Sequence, residues 1–231
     1  MMKKKFLAAC VLAVCLVAFA GCSNSSPADT QSGAHTDAPP SAEPSPESFT
    51  VSPLPVTIDL NDLNDCTVAV SFQKGDAFVD DTGVMRLKAA VYTYDLYDMV
   101  DISKLKAGDR ITICRQDVKV TSLERSENGA VIINGGLENG GYELVSDDNT
   151  VFYADGFDDM KSYYELGEVT LPVSQDFVFE DSSDLEKGPR TYYPGDFLTD
   201  DAGIEYNFTP NNTTVTIQDG FVIAMHRVYN P

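Results

Sequence analysis

The hydrophobic positions fall into two regimes. Phe6 to Ala20 is an unbroken apolar run without a charge. From about residue 53 onward the apolar residues come instead in short stretches, punctuated by Gly, Asn and Asp. Met85, Leu87, Ala89 and Val91 alternate with Arg86 and Lys88, the period of a strand with one face on a core and one in water. Thr213–Gln218 and Phe221–Tyr229 flank Asp219-Gly220. That dipeptide readily supplies the positive φ angles of a type I′ turn, so a two-residue hairpin is predicted. A second hairpin is predicted from Val118–Leu123 to Ala130–Ile133, turning near Asn128-Gly129. A third joins Tyr142–Val145 to Val151–Ala154 through a turn at 147–149, after a bend at Gly140-Gly141. Leu105 to Ile111 reads as a tight turn feeding a strand. Residues 157–166 read as a short helix, with Asp155 near its start and Gly167 after its end. Residues 181–201, with Gly188-Pro189 and Pro194-Gly195, read as loop. No internal repeat is evident. Many short strands with glycine turns predict a mainly β fold, an antiparallel sandwich or small barrel with hairpins and at most one or two short helices. Strand signals pause at 156–167, and one continuous domain is expected across the pause.

The first regime has a different meaning. Lys3-Lys4-Lys5 precedes the apolar run and holds the start on the cytoplasmic side. Fifteen residues at ~1.5 Å each span about 22 Å, short of the roughly 30 Å hydrocarbon core. The length suits the apolar region of a signal peptide. It ends in Phe19-Ala20-Gly21-Cys22-Ser23. Ala20, Gly21 and Cys22 resemble the lipobox of bacterial lipoproteins, with Phe19 in place of the usual aliphatic residue. The resemblance covers residues 1–22. It implies cleavage before Cys22 and diacylglyceryl transfer to its thiol. Two chains on one protein anchor it stably, whereas one binds marginally. Ala18-Phe19-Ala20 also reads as an ordinary secretory cleavage site, with the cut before Gly21.

Composition divides the remainder. Residues 23–52 contain no Lys, Arg, Leu or Ile and are rich in Ser, Pro, Ala and Asp. Such a segment cannot bury enough apolar surface to offset the entropy of ordering. The expected organisation is a signal peptide over 1–21, a lipidated cysteine and disordered tether over 22–52, and an acidic β-rich extracytoplasmic domain over 53–231. The chain carries 36 acidic and 16 basic residues. Three of the basic residues leave with the signal peptide, so the exported part is more acidic still. This charge excludes nucleic acid and anionic lipid headgroups as partners of the domain. The expected partners are the membrane, through the anchor, and an extracytoplasmic protein or glycan.

Candidate chemistry is sparse. There is no Gly-x-Ser-x-Gly elbow. His226 is the one histidine of the domain, and its strand alternation groups it with Val222, Ala224 and Val228 as a core-edge residue. One histidine and two distant cysteines lack zinc-ligand spacing. Cys66 and Cys114 fall in predicted strands. Outside the cytosol they are a candidate disulfide, and otherwise two buried thiols. Tyr92, Tyr94 and Tyr97, beside Asp95, Asp98 and Asp101, are a candidate interaction patch, and otherwise core residues whose neighbouring aspartates face water. No cofactor is expected. Ca²⁺ is left open by three oxygen-rich turns, at 147–149, 155–159 and 200–205, none of which has EF-hand spacing. Asn207 and Asn212 each begin an Asn-x-Thr triplet, which carries no glycan in a bacterial lipoprotein. The function expected is a non-enzymatic binding module at the cell surface. The alternatives are a hydrolase using paired carboxylates, which needs converging acids in a cleft, and a structural accessory of the envelope.

Overall fold

The computed structural model describes residues 48–148, 150–157 and 160–230 of the 231-residue chain. Residues 1–47, which include the expected signal segment, Cys22 and most of the expected tether, lie outside the described residues. Residues 46–231 form one compact unit. It is mainly β: the described residues hold fifteen strands, one α-helix of six residues and two 3-10 turns.

The chain enters through β1 (Thr50–Val51) and continues through β2 (Cys66–Ser71), β3 (Ala77–Val79) and β4 (Met85–Thr93). A middle block follows: β5 (Leu96–Asp98), α1 (Met99–Lys104), β6 (Arg110–Ile113), β7 (Gln116–Lys119), β8 (Leu123–Arg125), β9 (Val131–Ile133), β10 (Tyr142–Val145) and β11 (Val151–Ala154). The last block is β12 (Tyr164–Ser182), β13 (Arg190–Tyr192), β14 (Thr213–Gln218) and β15 (Phe221–Val228).

A closed barrel forms from β2, β4, β12, β15 and β14, because β12 is long enough to pair twice. Its first half lies antiparallel to β4, from Tyr164 opposite Thr93 to Pro172 opposite Arg86. Its second half lies parallel to β15, from Val173 opposite Val222 to Ser182 opposite Val228. β14 then joins β15 to β2, and β2 joins back to β4. Numbering these five strands in chain order, the ring runs 1-2-3-5-4 and returns to 1. Strand 4 beside strand 1 makes it a Greek key. A five-stranded Greek-key barrel is the architecture of OB-type domains, which by itself implies no activity. Pro172 stands where β12 changes partner, a position that needs no ladder donor.

Inside the barrel Leu87, Ala89 and Val91 point inward as their alternation predicts, while Lys88 is exposed. One end is filled by rings. Phe72 stacks on Phe208 with centroids 4.1 Å apart, and Phe197 lies 5.5 Å from Phe179 and 5.8 Å from Phe177. The 3-10 turn Pro194–Leu198 carries Phe197 into this end as a plug.

The middle block is an insertion between β4 and β12 with a core of its own, built on Tyr97, Ile102, Ile111, Ile113, Ile133 and Leu144. Its five-stranded sheet runs β5-β11-β10-β9-β8, beside a three-stranded sheet β1-β6-β7. β1 belongs to this second core although it comes first in the chain. Val51 is buried there, and Phe49 donates its amide to Asp109 Oδ1 at 3.0 Å. Residues 49–51 therefore pack with the same folded unit as the residues from 53 onward.

Two hairpins are those the sequence predicts. β14 and β15 turn on Asp219 (φ 51°) and Gly220 (φ 74°), the two positive angles of a type I′ turn. β10 and β11 form the third hairpin. In the second, β8 pairs with β9 across Gly129, but Val118 and Lys119 belong to β7, which pairs with β6 instead. The expected helix at 157–166 is overturned for its second half. Asp158 and Asp159 lie outside the described residues, and Tyr164–Leu166 opens β12, where pairing to β4 outweighs local helix propensity. The loop reading of 181–201 is also too coarse, since it holds the end of β12, β13 and the 3-10 turn.

Candidate binding groove

Where β12 leaves β4 for β15, the barrel wall parts. Val173 pairs with Val222 and Val178 with Ala224, so four β12 residues, 174–177, stand opposite the single Ile223. Gln175 and Asp176 turn out to solvent while Phe177 stays in the core, and Ser174 Oγ accepts the Asp176 amide at 3.2 Å. This arch of extra residues is one wall of an open groove of about 610 Å³, within the size range of small-ligand sites. The β3–β4 hairpin supplies Val79, Val84 and Met85 to the opposite wall. Pro194 and Leu198 come from the 3-10 turn, and Phe221 from the start of β15. Met85 and Val173 also line a small void in the barrel core with Phe177, Phe197 and Met225.

The groove is open to solvent and mixes apolar side chains with Ser174, Gln175 and Asp176. Val79, Leu198 and Phe221 are 49%, 46% and 43% exposed, unusual for neighbouring large apolar side chains. Among the described residues Asp176 is the one carboxylate on its lining, and none of the lining side chains is basic. The hairpin beside it is fixed by Asp80, whose carboxylate accepts the Thr82 hydroxyl and amide, the Val84 amide and Arg86 Nε. The Thr82 hydroxyl bond, followed by that of Arg86, holds the Asp80 carboxyl far below the ordinary carboxylate range. A second, more polar depression of about 470 Å³ lies between residues 71–74 and 206–209, but its Lys74 is already tied to Asp200 at 2.6 Å.

No family model, curated protein or solved structure matches this chain. Function must be read from the surface itself.

The predicted site residues lie elsewhere and apart. Tyr97 is fully buried, donating its hydroxyl to Thr112 O at 2.8 Å and to Asp95 Oδ2 at 3.2 Å. Tyr92 shares a hydrogen bond with Ser71 Oγ on the barrel wall. Tyr94 belongs to a different cluster, edge-on to Tyr153 and Tyr163, with Lys161 Nζ 4.5 Å from its ring centre and 3.2 Å from its hydroxyl. The three tyrosines thus occupy three environments rather than one patch. Cys66 and Cys114 are free thiols packed against different cores, Cys66 against the barrel's and Cys114 against the insertion's. Burial, then the Asp95 carboxylate, pushes Cys114 up to about 11. His226 points outward, its Nδ1 3.1 Å from Glu180 Oε2. The core-edge expectation fails because the ladder shifts register between Thr216 and Ile217, so Val222 is buried and thereafter Met225 and Arg227 are.

The oxygen-rich turns are likewise dispersed. Asp147 accepts the Tyr153 hydroxyl at 2.8 Å and Asp148 caps Thr150, while Asn149, Asp158 and Asp159 lie outside the described residues. Asp200 pairs with Lys74, and Glu205 lies 3.7 Å from Lys187. Among the described residues no group of three or more His, Cys, Asp or Glu is placed to hold a metal ion.

Sequence reading missed the groove. Val173 and the arch sit mid-strand, where Pro172 and Ser174-Gln175-Asp176 interrupt the β pattern but do not name the partner strand. The other visible signal was Phe197-Leu198, an apolar pair inside a segment otherwise read as loop.

Proposed function

We propose that this chain is an extracytoplasmic bacterial lipoprotein, anchored through Cys22, whose folded part binds a cell-surface partner in the groove and performs no catalysis. The observation that carries the binding role is an open groove of about 610 Å³ that exposes Val79, Leu198 and Phe221 and, among the described residues, has a single carboxylate on its lining. A carboxylate hydrolase needs two acids facing a cleft, and this cleft offers one. An envelope spacer has no use for exposed Val79, Leu198 and Phe221 around a concavity.

Two measurements test this reading. A Cys22→Ala chain is expected in the medium or soluble extracytoplasmic fraction, and continued membrane association at the wild-type level sinks the anchor. A photo-crosslinking residue at Phe221, irradiated on intact cells, is expected to give discrete adducts absent from the same probe at Leu185, which is 72% exposed and outside the groove. Equal adduct patterns at the two positions sink the binding role.

A further inference from the structure

Resting on the groove as binding site, we infer that its occupant is a basic polypeptide segment presenting an apolar side chain between lysines or arginines. The apolar side chains of the lining define the first half of this specificity. Val79, Leu198 and Phe221 offer contact surface to an aliphatic or aromatic side chain.

Charge defines the second half. Asp176 lines the groove, Asp81 lies in the hairpin turn two residues before Gly83, and Asp219 lies two residues before Phe221. All three are exposed, and among the described residues none forms an ion pair. The basic residue of the same hairpin, Arg86, is held by Asp80 at 2.7 Å. Negative charge thus lines the groove at Asp176 and sits two residues along the chain from two further lining residues, Gly83 and Phe221, on a chain of net charge −20. Fields of this kind select the sign of a partner and speed its encounter.

The same charge rejects the other occupants. A second copy brings the same exposed aspartates and a net charge of −20 against it. Anionic polysaccharides and anionic lipid headgroups are repelled likewise. A neutral glycan lacks its usual partners here, since Phe221 is the one aromatic ring on the lining and Ser174, Gln175 and Asp176 are its few polar side chains.

The test uses the full-length chain in nanodiscs of neutral phosphatidylcholine, with empty nanodiscs as control. Three fluorescent peptides share a Leu-Phe-Leu centre and differ in flanking pairs of lysine, serine or glutamate. Fluorescence anisotropy at ~50 mM NaCl is expected to rank lysine above serine by about tenfold and serine above glutamate, with the preference mostly lost at ~500 mM NaCl. The pair Asp176→Asn and Asp219→Asn is expected to weaken the lysine peptide about fivefold and leave the serine peptide unchanged. Phe221→Ser, with thermal melting as the fold check, weakens every peptide. Equal binding of all three peptides, still lost in Phe221→Ser, overturns the basic partner and leaves the groove standing. Binding unaffected by both Phe221→Ser and Leu198→Ser overturns the groove reading too. Binding of neutral oligosaccharides with no peptide binding overturns the inference in favour of a glycan.

Discussion

Replacing Arg227 by methionine tests the account of the barrel most severely. Arg227 is fully buried on β15, and its side chain closes three segments onto one another. Nε and Nη2 donate to the two Asp181 oxygens at 3.0 and 2.6 Å, a bidentate pair across the β12–β15 seam. Nη1 donates to Asn207 Oδ1 at 2.6 Å and to the Glu205 carbonyl. The guanidinium lies 4.5 Å from the Phe208 ring centre and 5.4 Å from that of Phe179. Methionine preserves much of the volume and the ring contact but leaves Asp181 a buried carboxylate without its main partner. Breaking a buried pair in this way costs about 3–5 kcal/mol, well above the net worth of the pair itself. The carboxylate's titration gives a second, independent size. Burial pushes Asp181 up, but hydrogen bonds from Arg227 and Ser183 outweigh it and hold it at about 2. Against an unfolded value near 3.9, that depression contributes roughly 2.5 kcal/mol. The contribution is complete above about pH 4 and is lost as the pH falls through about 2, with about half left at pH 3. Urea unfolding followed by far-UV circular dichroism, at pH 7 and pH 3, is the assay. Arg227→Met should lose at least ~3 kcal/mol at pH 7, and the gap to wild type should narrow by about 1 kcal/mol or more at pH 3. Adding Asp181→Leu should recover part of the loss, since an apolar pair can replace a buried ion pair. A loss below ~1 kcal/mol, or a gap independent of pH, would refute the reasoning.

Three further outcomes follow from the packing. Phe197→Ala empties the plug between Phe72, Phe177 and Phe179 and should cost about 3–5 kcal/mol by the same unfolding assay. Gly141→Ala should prevent stable folding of the insertion, read as lost amide protection in β9 and β10, because its Cβ would stand 2.2 Å from the Ile133 carbonyl oxygen and 2.6 Å from that of Asn134. At pH 8 the native Cys114 thiol, raised to about 11, should react with iodoacetamide roughly a hundredfold more slowly than in urea, and a native rate near the denatured one contradicts the burial described.

The elements legible in the sequence were those specified by local chemistry. The Asp219-Gly220 turn declares its own φ angles, and β4 declares its inward face by alternation. What stayed hidden depends on partners distant along the chain. Nothing near Tyr164 says that it will pair with Thr93 rather than begin a helix, and nothing in Thr50-Val51 says that it will lie beside Arg110-Ile111. The insertion was half visible: its return at 164 falls within the pause in strand signals, but its departure after Thr93 falls in an uninterrupted β pattern. The groove was hidden for the same reason, because a bulge is a mismatch between two strands and belongs to neither alone. Arg227 looks in sequence like a surface residue of the last strand. Only the register shift behind Val222 turns it into the barrel.

The short strand β1 carries a mechanical consequence. The described chain enters the fold beside β6, with Thr50 opposite Arg110 and Val51 opposite Ile111. The Arg110 amide donates to the Phe49 carbonyl at 2.9 Å, and the Phe49 amide to Asp109 at 3.0 Å. Tension pulling along the chain ahead of Phe49 loads these bonds together, in shear, so they must yield as a group. It is also delivered first to the insertion and reaches the barrel only afterwards. The groove lies on the barrel, so traction at residue 49 meets the β1–β6 bonds before it meets the groove's walls.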